Sequence, residues 1–175
     1  MLLYLFALED AGKDVVGQIR VPAGVQYFPA RAPYVSVDGT VTEEEAEKER
    51  KKLWERKGLL LSNEDSLHAM DPTDDFDKLC CKRKKDGSIV GDLADRGQLG
   101  VLKVYVMDTL RRLIDEIASG DVTPNPYTRG YSHNACTFCP YGAVCHQDQV
   151  PGRRNYERME ANAFWEQIGK EDRHG

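Results

Sequence analysis

Three of the chain's five cysteines fall within ten residues, at Cys136, Cys139 and Cys145, and the spacing C-x2-C-x5-C limits what this segment can become. Two thiolates separated by two residues lie on one side of a tight turn, and five further residues let the chain loop round to add a third sulfur. Pro140 blocks a regular helix or ladder after the second cysteine. Gly142 leaves out a side chain where the backbone would approach an inorganic core. Phe138 and Tyr141 are expected to screen the sulfurs from water. The pattern is that of a thiolate metal site. Three sulfurs leave a tetrahedral zinc or a four-iron cluster one ligand short. His133 or His146, which flank the run, can complete a zinc site, and spacing alone does not separate zinc from iron–sulfur. Unligated thiols or a disulfide are the remaining alternative.

At 175 residues, 41% hydrophobic and 30% charged, the chain is long enough for one domain with a substantial core. A net charge of −5 gives no overall electrostatic case for a nucleic-acid binder. An odd, clustered cysteine count fits a reducing compartment better than a secreted disulfide framework. The apolar start, Met1 to Leu8, has no basic lead-in and runs into Glu9 and Asp10 without a cleavage site, and no later stretch approaches a membrane span. The chain is expected to be cytoplasmic.

In chain order, Met1 to about Asp10 reads as the end of a buried helix stopping at Gly12. Val15–Val21 and Val25–Ala30 read as strands, the second ended by Pro29. Thr42 and Glu45 form a capping-box pattern that opens a charged, solvated helix to about Arg56, closed by Gly58, with Leu53 and Trp54 pinning its end. Leu59 to Leu61 is a short buried segment, and Asn63 can cap a single helical turn through Met70. Lys78–Lys84 and Ser88–Val90 read as a hairpin turning at Asp86 and Gly87. Its tip carries Lys82, Arg83, Lys84 and Lys85, which either keep an edge hairpin soluble or touch a DNA phosphate backbone. Cys80 and Cys81 are neighbours in the hairpin and face opposite ways, so at most one reaches any given metal. The longest helix begins at Asp92 or Asp95 and reaches Ser119, with Leu99, Leu102, Val106, Leu110, Leu113 and Ile117 on one apolar stripe. Gly120 closes it, and it leads into the cysteine loop. A turn at Val150 to Gly152 and two helical pieces, Asn155–Met159 and Ala161–Ile168, complete the chain, with a frayed end from Lys170. No Walker or Rossmann glycine loop and no nucleophile elbow is present.

These residues resemble the C-terminal part of the AddB family, the B subunits of ATP-dependent helicase/deoxyribonuclease, whose nuclease domain is RecB-like, of the PD-(D/E)XK class. The similar stretches are Leu2 to Leu5, Pro22 to Pro29, Gly58 to Leu61 with Ala69 to Asp71, Ile117 to Gly120, and Ala135 to Cys145. The resemblance implies that Cys136, Cys139 and Cys145 are ligands of a [4Fe–4S] cluster that staples the nuclease domain. The family's fourth ligand is a cysteine upstream of the position where this chain starts, so Cys80, Cys81, His133 or His146, or a separate chain, would have to substitute. Family members bind Mg²⁺ through an aspartate and an Asp-x-Lys set, followed by a Gln-x-x-x-Tyr helix. Tyr4 matches that tyrosine, and the glutamine would fall just before Met1. No catalytic carboxylate is assigned here, because Asp92 and Asp95 read as helix caps.

The resemblance therefore implies an α+β fold and a fragment of a helicase–nuclease protein for double-strand-break repair and recombination, inactive alone and without ATP binding. The intact enzyme would degrade DNA ends exonucleolytically with Mg²⁺, beside the helicase/nuclease A subunit of the same complex. The missing N-terminal part could be a separate chain. Residues 1–31 would be the trailing part of the nuclease core, 32–95 a charged helix and hairpin insertion, 96–156 the long helix and cysteine loop, and 157–175 a helical tail. The alternatives are a stand-alone zinc-binding Cys3His module without enzymatic activity and, with nuclease strands it lacks, an exonuclease of the CRISPR-associated iron–sulfur type.

Overall fold

The computed structural model describes residues 1–18, 21–30, 34, 39–54, 56–76, 78–130, 133–145 and 154–171. The chain is a mixed α+β protein that divides into two compact units, 1–106 and 107–175.

The first unit contains helix α1 (Leu2–Val16), strand β1 (Gly24–Tyr27), helix α2 (Glu43–Leu53), strand β2 (Lys57–Leu61) and helix α3 (Glu64–Met70). Strands β3 (Cys81–Arg83), β4 (Ile89–Gly91) and β5 (Leu93–Ala94) follow, and then helix α4 (Arg96–Ala118), which continues past residue 106. β2 is the middle of a three-stranded sheet, antiparallel to β1 and parallel to β5. Neighbouring strand residues point to opposite faces, so the burial of both Leu60 and Leu61 means that the sheet is covered on both sides. On one side Leu60 packs with Leu67, Phe76, Leu79 and Cys81. On the other, Leu61 shares a cavity of about 200 Å³ with Phe6 of α1 and Leu99 of α4. Lys103 fastens α4 to α1, its Nζ donating to Glu9 Oε2 at 3.0 Å and to Asp10.

A loop held from below closes the first side. Asp71 is fully buried, and its carboxylate accepts from Thr73 N at 3.1 Å, Thr73 Oγ1 at 2.8 Å and Lys78 N at 3.1 Å. These bonds let Phe76 sit in the core although its φ is +55°, a conformation that costs a non-glycine residue roughly 1–2 kcal/mol. Burying a phenylalanine returns about 1.5–3 kcal/mol. The His68 ring lies 4.9 Å from it and the Arg83 guanidinium 5.2 Å.

Several expectations hold. Thr42 and Glu45 form the capping box of α2, with Thr42 N donating to Glu45 Oε2 at 2.9 Å. Asn63 caps α3, accepting from Ser66 N at 2.9 Å. Asp95, not Asp92, caps α4, because Asp95 and Gln98 exchange two bonds of 2.8 Å. The Asp92 carbonyl instead accepts from Leu60 N at 3.0 Å at the β4–β5 junction.

Others are corrected. α1 runs through Gly12 to Val16 and closes at Gly17, φ +71°, so Val15 and Val16 are its last turn and not the start of a strand. One glycine costs a helix about 1 kcal/mol, too little to end one whose neighbours Ala11 and Lys13 are good helix formers. β1 is shorter than expected and leaves the ladder before Pro29. α2 ends at Leu53, and Gly58 belongs to β2, where a Cβ would meet Gln26 Cα at 2.9 Å. Residues 78–80 form a turn and not part of the hairpin strand, with Leu79 N donating to Phe76 O at 3.0 Å, because Leu79 is drawn into the core. On α4 only Leu99 and Leu102 of the stripe are buried, while Leu113 and Ile117 are exposed.

In the second unit, strand β6 (Tyr127–Thr128) pairs in parallel with strand β7 (Arg154–Asn155), with the short helix α5 (Gly142–Cys145) between them in sequence. Asn155 is thus in a strand where a helical piece is expected, its register set by Arg154 N donating to Pro126 O at 3.0 Å. Helix α6 (Ala161–Glu171) buries Ile168, with Phe164 and Trp165 half-buried and their rings 5.4 Å apart. The turn expected at Val150 to Gly152 lies outside the described residues. Among the described residues no helix is long and apolar enough to cross a membrane.

Candidate functional site

The cysteine segment folds as two linked turns. Cys139 N donates to Cys136 O at 3.1 Å, so the first two cysteines share one tight turn. Asn134 organises it from outside, its Oδ1 accepting from Cys136 N at 2.9 Å and from Thr137 Oγ1 at 3.0 Å. The second turn is α5, where Cys145 N donates to Tyr141 O at 2.9 Å. Asn134 is a positioning residue that spacing arguments missed. The available signal was the Asx-turn tendency of an asparagine two residues before a turn.

All five cysteines are free thiols; Cys136 is half-buried, and Cys139 and Cys145 are exposed. No disulfide therefore commits the three clustered sulfurs, and an incoming metal can reach them. In kind they fit an iron–sulfur cluster or zinc; in number they are one short of four. Among the described residues no three His, Cys, Asp or Glu side chains gather as a metal-binding group. Phe138, 95% exposed, and Tyr141 lie largely in solvent and screen nothing from water in the chain alone. Around Gly142 there is open space.

The substitute ligands differ in character. Cys81 is a core residue, and burial pushes its thiol pKa up, which disfavours the thiolate a metal needs. Burial raises the thiol of the half-buried Cys80 in the same way. His133 is exposed, and its carbonyl accepts from Arg129 N at 2.6 Å. His146 lies outside the described residues. Tyr4 sits in the first turn of α1 with its side chain mostly in solvent.

The basic hairpin residues are not equivalent. Lys82 and Arg83 lie in β3, and Lys84 and Lys85 lie in the connection to β4. Arg83 is structural, bonded to Glu64, to Asp74 O at 3.1 Å and to Gly87 O at 3.4 Å. Lys82 instead lines a groove of about 840 Å³ whose other wall is the end of α2.

No family model matches the chain. It is 33% identical over 164 residues to the ATP-dependent helicase/deoxyribonuclease B subunit of Oceanobacillus iheyensis, a match covering 91% of this chain and 14% of that protein. Against the protein of the same name from Moorella thermoacetica the identity is 35% over 162 residues, covering 90% and 14%. Against that from Symbiobacterium thermophilum it is 30% over 173 residues, covering 96% and 15%. The matched region is the C-terminal part of these longer proteins.

Proposed function

Because the chain belongs to the family of ATP-dependent helicase/deoxyribonuclease B subunits, matching the C-terminal part of its members, we propose that it is the metal-stapled portion of a DNA-degrading protein. Cys136, Cys139 and Cys145 hold a [4Fe–4S] cluster. The fourth ligand comes from a cysteine upstream of this stretch in the family pattern, because Cys81 is a core residue and burial raises the thiol pKa of both Cys80 and Cys81, disfavouring their thiolates. When bound, the cluster cross-links the two turns of the loop and supplies no chemistry to the cleavage. Asn134 presents the first two sulfurs on one turn, and α5 carries the third.

Asp95 is engaged in capping α4, and in the family pattern the Mg²⁺-binding carboxylates lie upstream of the matched stretch. On this reading cleavage is assigned to that upstream part of the complete protein. That protein works in the cytoplasm on DNA ends in double-strand-break repair, with Mg²⁺ and with the helicase-bearing A subunit as partner. The reading is carried by one observation: the match spans 85–96% of a chain whose most chemistry-specific segment keeps three thiols outside any disulfide, Cys139 and Cys145 exposed and Cys136 half-buried.

Anaerobic purification of the chain should yield a brown protein with iron and acid-labile sulfide at about four each per cluster. Cys139→Ser should lose the colour and the protease resistance of the 133–145 segment together. A colourless protein holding one tight zinc, released by His133→Ala, would replace this reading with a Cys3His interaction module.

A further inference from the structure

The groove in the first unit has a composition opposite to that of the whole chain. It is lined by Lys51, Lys52 and Arg56 on one wall and by Lys78, Lys82 and Arg83 on the other, against only Asp75 and Asp92, in a protein of net charge −5. Lys52 is engaged by Glu49 and Arg83 by Glu64. Lys51, Arg56, Lys78 and Lys82 form no ion pair among the described residues, although the Lys78 charge helps hold the Asp71 carboxyl low. At the same wall, Phe28, 60% exposed, and Trp54, 36% exposed, lie with ring centroids 5.5 Å apart, and the Arg56 guanidinium sits 5.1 Å over the Phe28 ring. Partly exposed aromatic rings beside cations that form no ion pair suit a strand whose bases are unstacked: phosphates take the cations, and a base stacks on the exposed ring surface. A duplex hides its base faces and a purely acidic peptide has nothing to stack, so an unstacked strand is the occupant that uses both the cations and the rings.

The charge order of α2 creates this wall. Glu43, Glu44 and Glu45 occupy its first turn, and Arg50, Lys51 and Lys52 its last. Matching the helix dipole accounts for the order along the helix. It does not account for the convergence of that basic end with Lys78 and Lys82 from a different element, or for Trp54 and Phe28 standing open between them.

We propose that this groove binds single-stranded DNA, with Lys51, Arg56, Lys78 and Lys82 on the phosphates and a base stacked against Trp54 and Phe28. The proposal rests on the DNA-handling reading above, gives this chain a DNA-contacting site of its own, and does not depend on the cluster.

The probe is a fluorescein-labelled oligothymidylate, titrated into the full chain and read by anisotropy at several salt concentrations. Four phosphate contacts predict that affinity falls about fifty-fold between 50 and 200 mM salt, and about seven-fold once Lys51→Ala and Lys82→Ala remove two of them. Both lysines are exposed and outside the core, so the double variant should fold. In a Trp165→Phe background the remaining Trp54 should be quenched by the oligonucleotide, and Trp54→Ala should weaken binding about five-fold or more. An unchanged salt dependence in the double variant, or an unquenched Trp54, would overturn the proposal. So would duplex DNA competing as well as the single strand, or polyglutamate doing so, which would assign the groove to an acidic protein segment. Iron content of the same preparations is read separately. Binding without iron would count against the cluster alone, and iron without binding against the groove alone.

Discussion

Replacing Asp71 by asparagine tests whether one buried carboxylate holds the first unit's core loop in place. The substitution keeps size and shape but leaves one acceptor oxygen where there were two. The cheaper orientation keeps the amide oxygen on the two Thr73 donors and turns the NH2 toward Lys78 N–H, donor against donor. One charge-assisted bond worth about 1.5–3 kcal/mol is lost and one backbone N–H is left unpaired, while the relieved desolvation of the carboxylate returns part of that. The net expectation is about 2–3 kcal/mol of destabilisation at pH 7. Burial opposes ionisation of Asp71, but its bonds to Thr73 and Lys78 together outweigh it and hold the carboxyl below its ordinary value. A carboxyl depressed on folding stabilises fully above its unfolded pKa, about 3.9, and loses that contribution as pH falls through the folded value. The gap between parent and Asp71→Asn should therefore be full at pH 7 and narrow below about pH 4. Because the chain has two compact units, a whole-chain melting temperature is not a defined quantity. Urea unfolding should instead be followed through Trp54 in a Trp165→Phe background, where the signal comes from the first unit. A difference under about 0.5 kcal/mol at pH 7, well short of a lost charged bond, or a gap unchanged at low pH, would refute the reasoning.

Two more substitutions probe backbone features. Gly91→Ala should destabilise the first unit by about 3 kcal/mol or more, since φ there is +148° and a Cβ would sit 2.5 Å from Cys81 Cα, where only backbone movement can make room. Loss of the β3–β4 amide protection in hydrogen exchange would report it, and near-normal protection would show that the ladder can shift. Thr42→Ala removes the cap of α2 and should cost about 1 kcal/mol, seen as several-fold faster exchange in the first turn of α2 with little change in β2.

What could be read from residues alone was mostly what local chemistry decides. The Thr42–Glu45 box, the Asn63 cap and the Asp86–Gly87 turn are each settled within four residues, and each forms as expected. The family resemblance was legible for a related reason, since its segments lie in order along the chain. Errors came where distant partners decide. Val15 and Val16 carry strand propensity but finish a helix that Lys103 anchors from far along the chain. Asp71 ends α3 as its position suggests, but nothing local announces that its buried carboxylate would take Lys78 N as a third donor. The groove was illegible because Lys51 and Lys82 meet only through the fold. Read singly, one belonged to a solvated helix and the other to an edge hairpin.

The parallel pairing of β6 with β7 has a consequence for how the cysteine loop would tolerate losing the proposed cluster. Tyr127 faces Arg154 and Thr128 faces Asn155, the Tyr127 and Tyr156 rings stand 6.3 Å apart, and Arg129 lies 5.9 Å over Tyr156. The protein itself thus draws both ends of segment 129–153 together like the neck of a purse. Most of the entropy of closing that ring is spent without the metal, and closure cost grows only slowly with length. Without the proposed cluster the bag should slacken while its mouth stays drawn, leaving a shape that the cluster could re-enter.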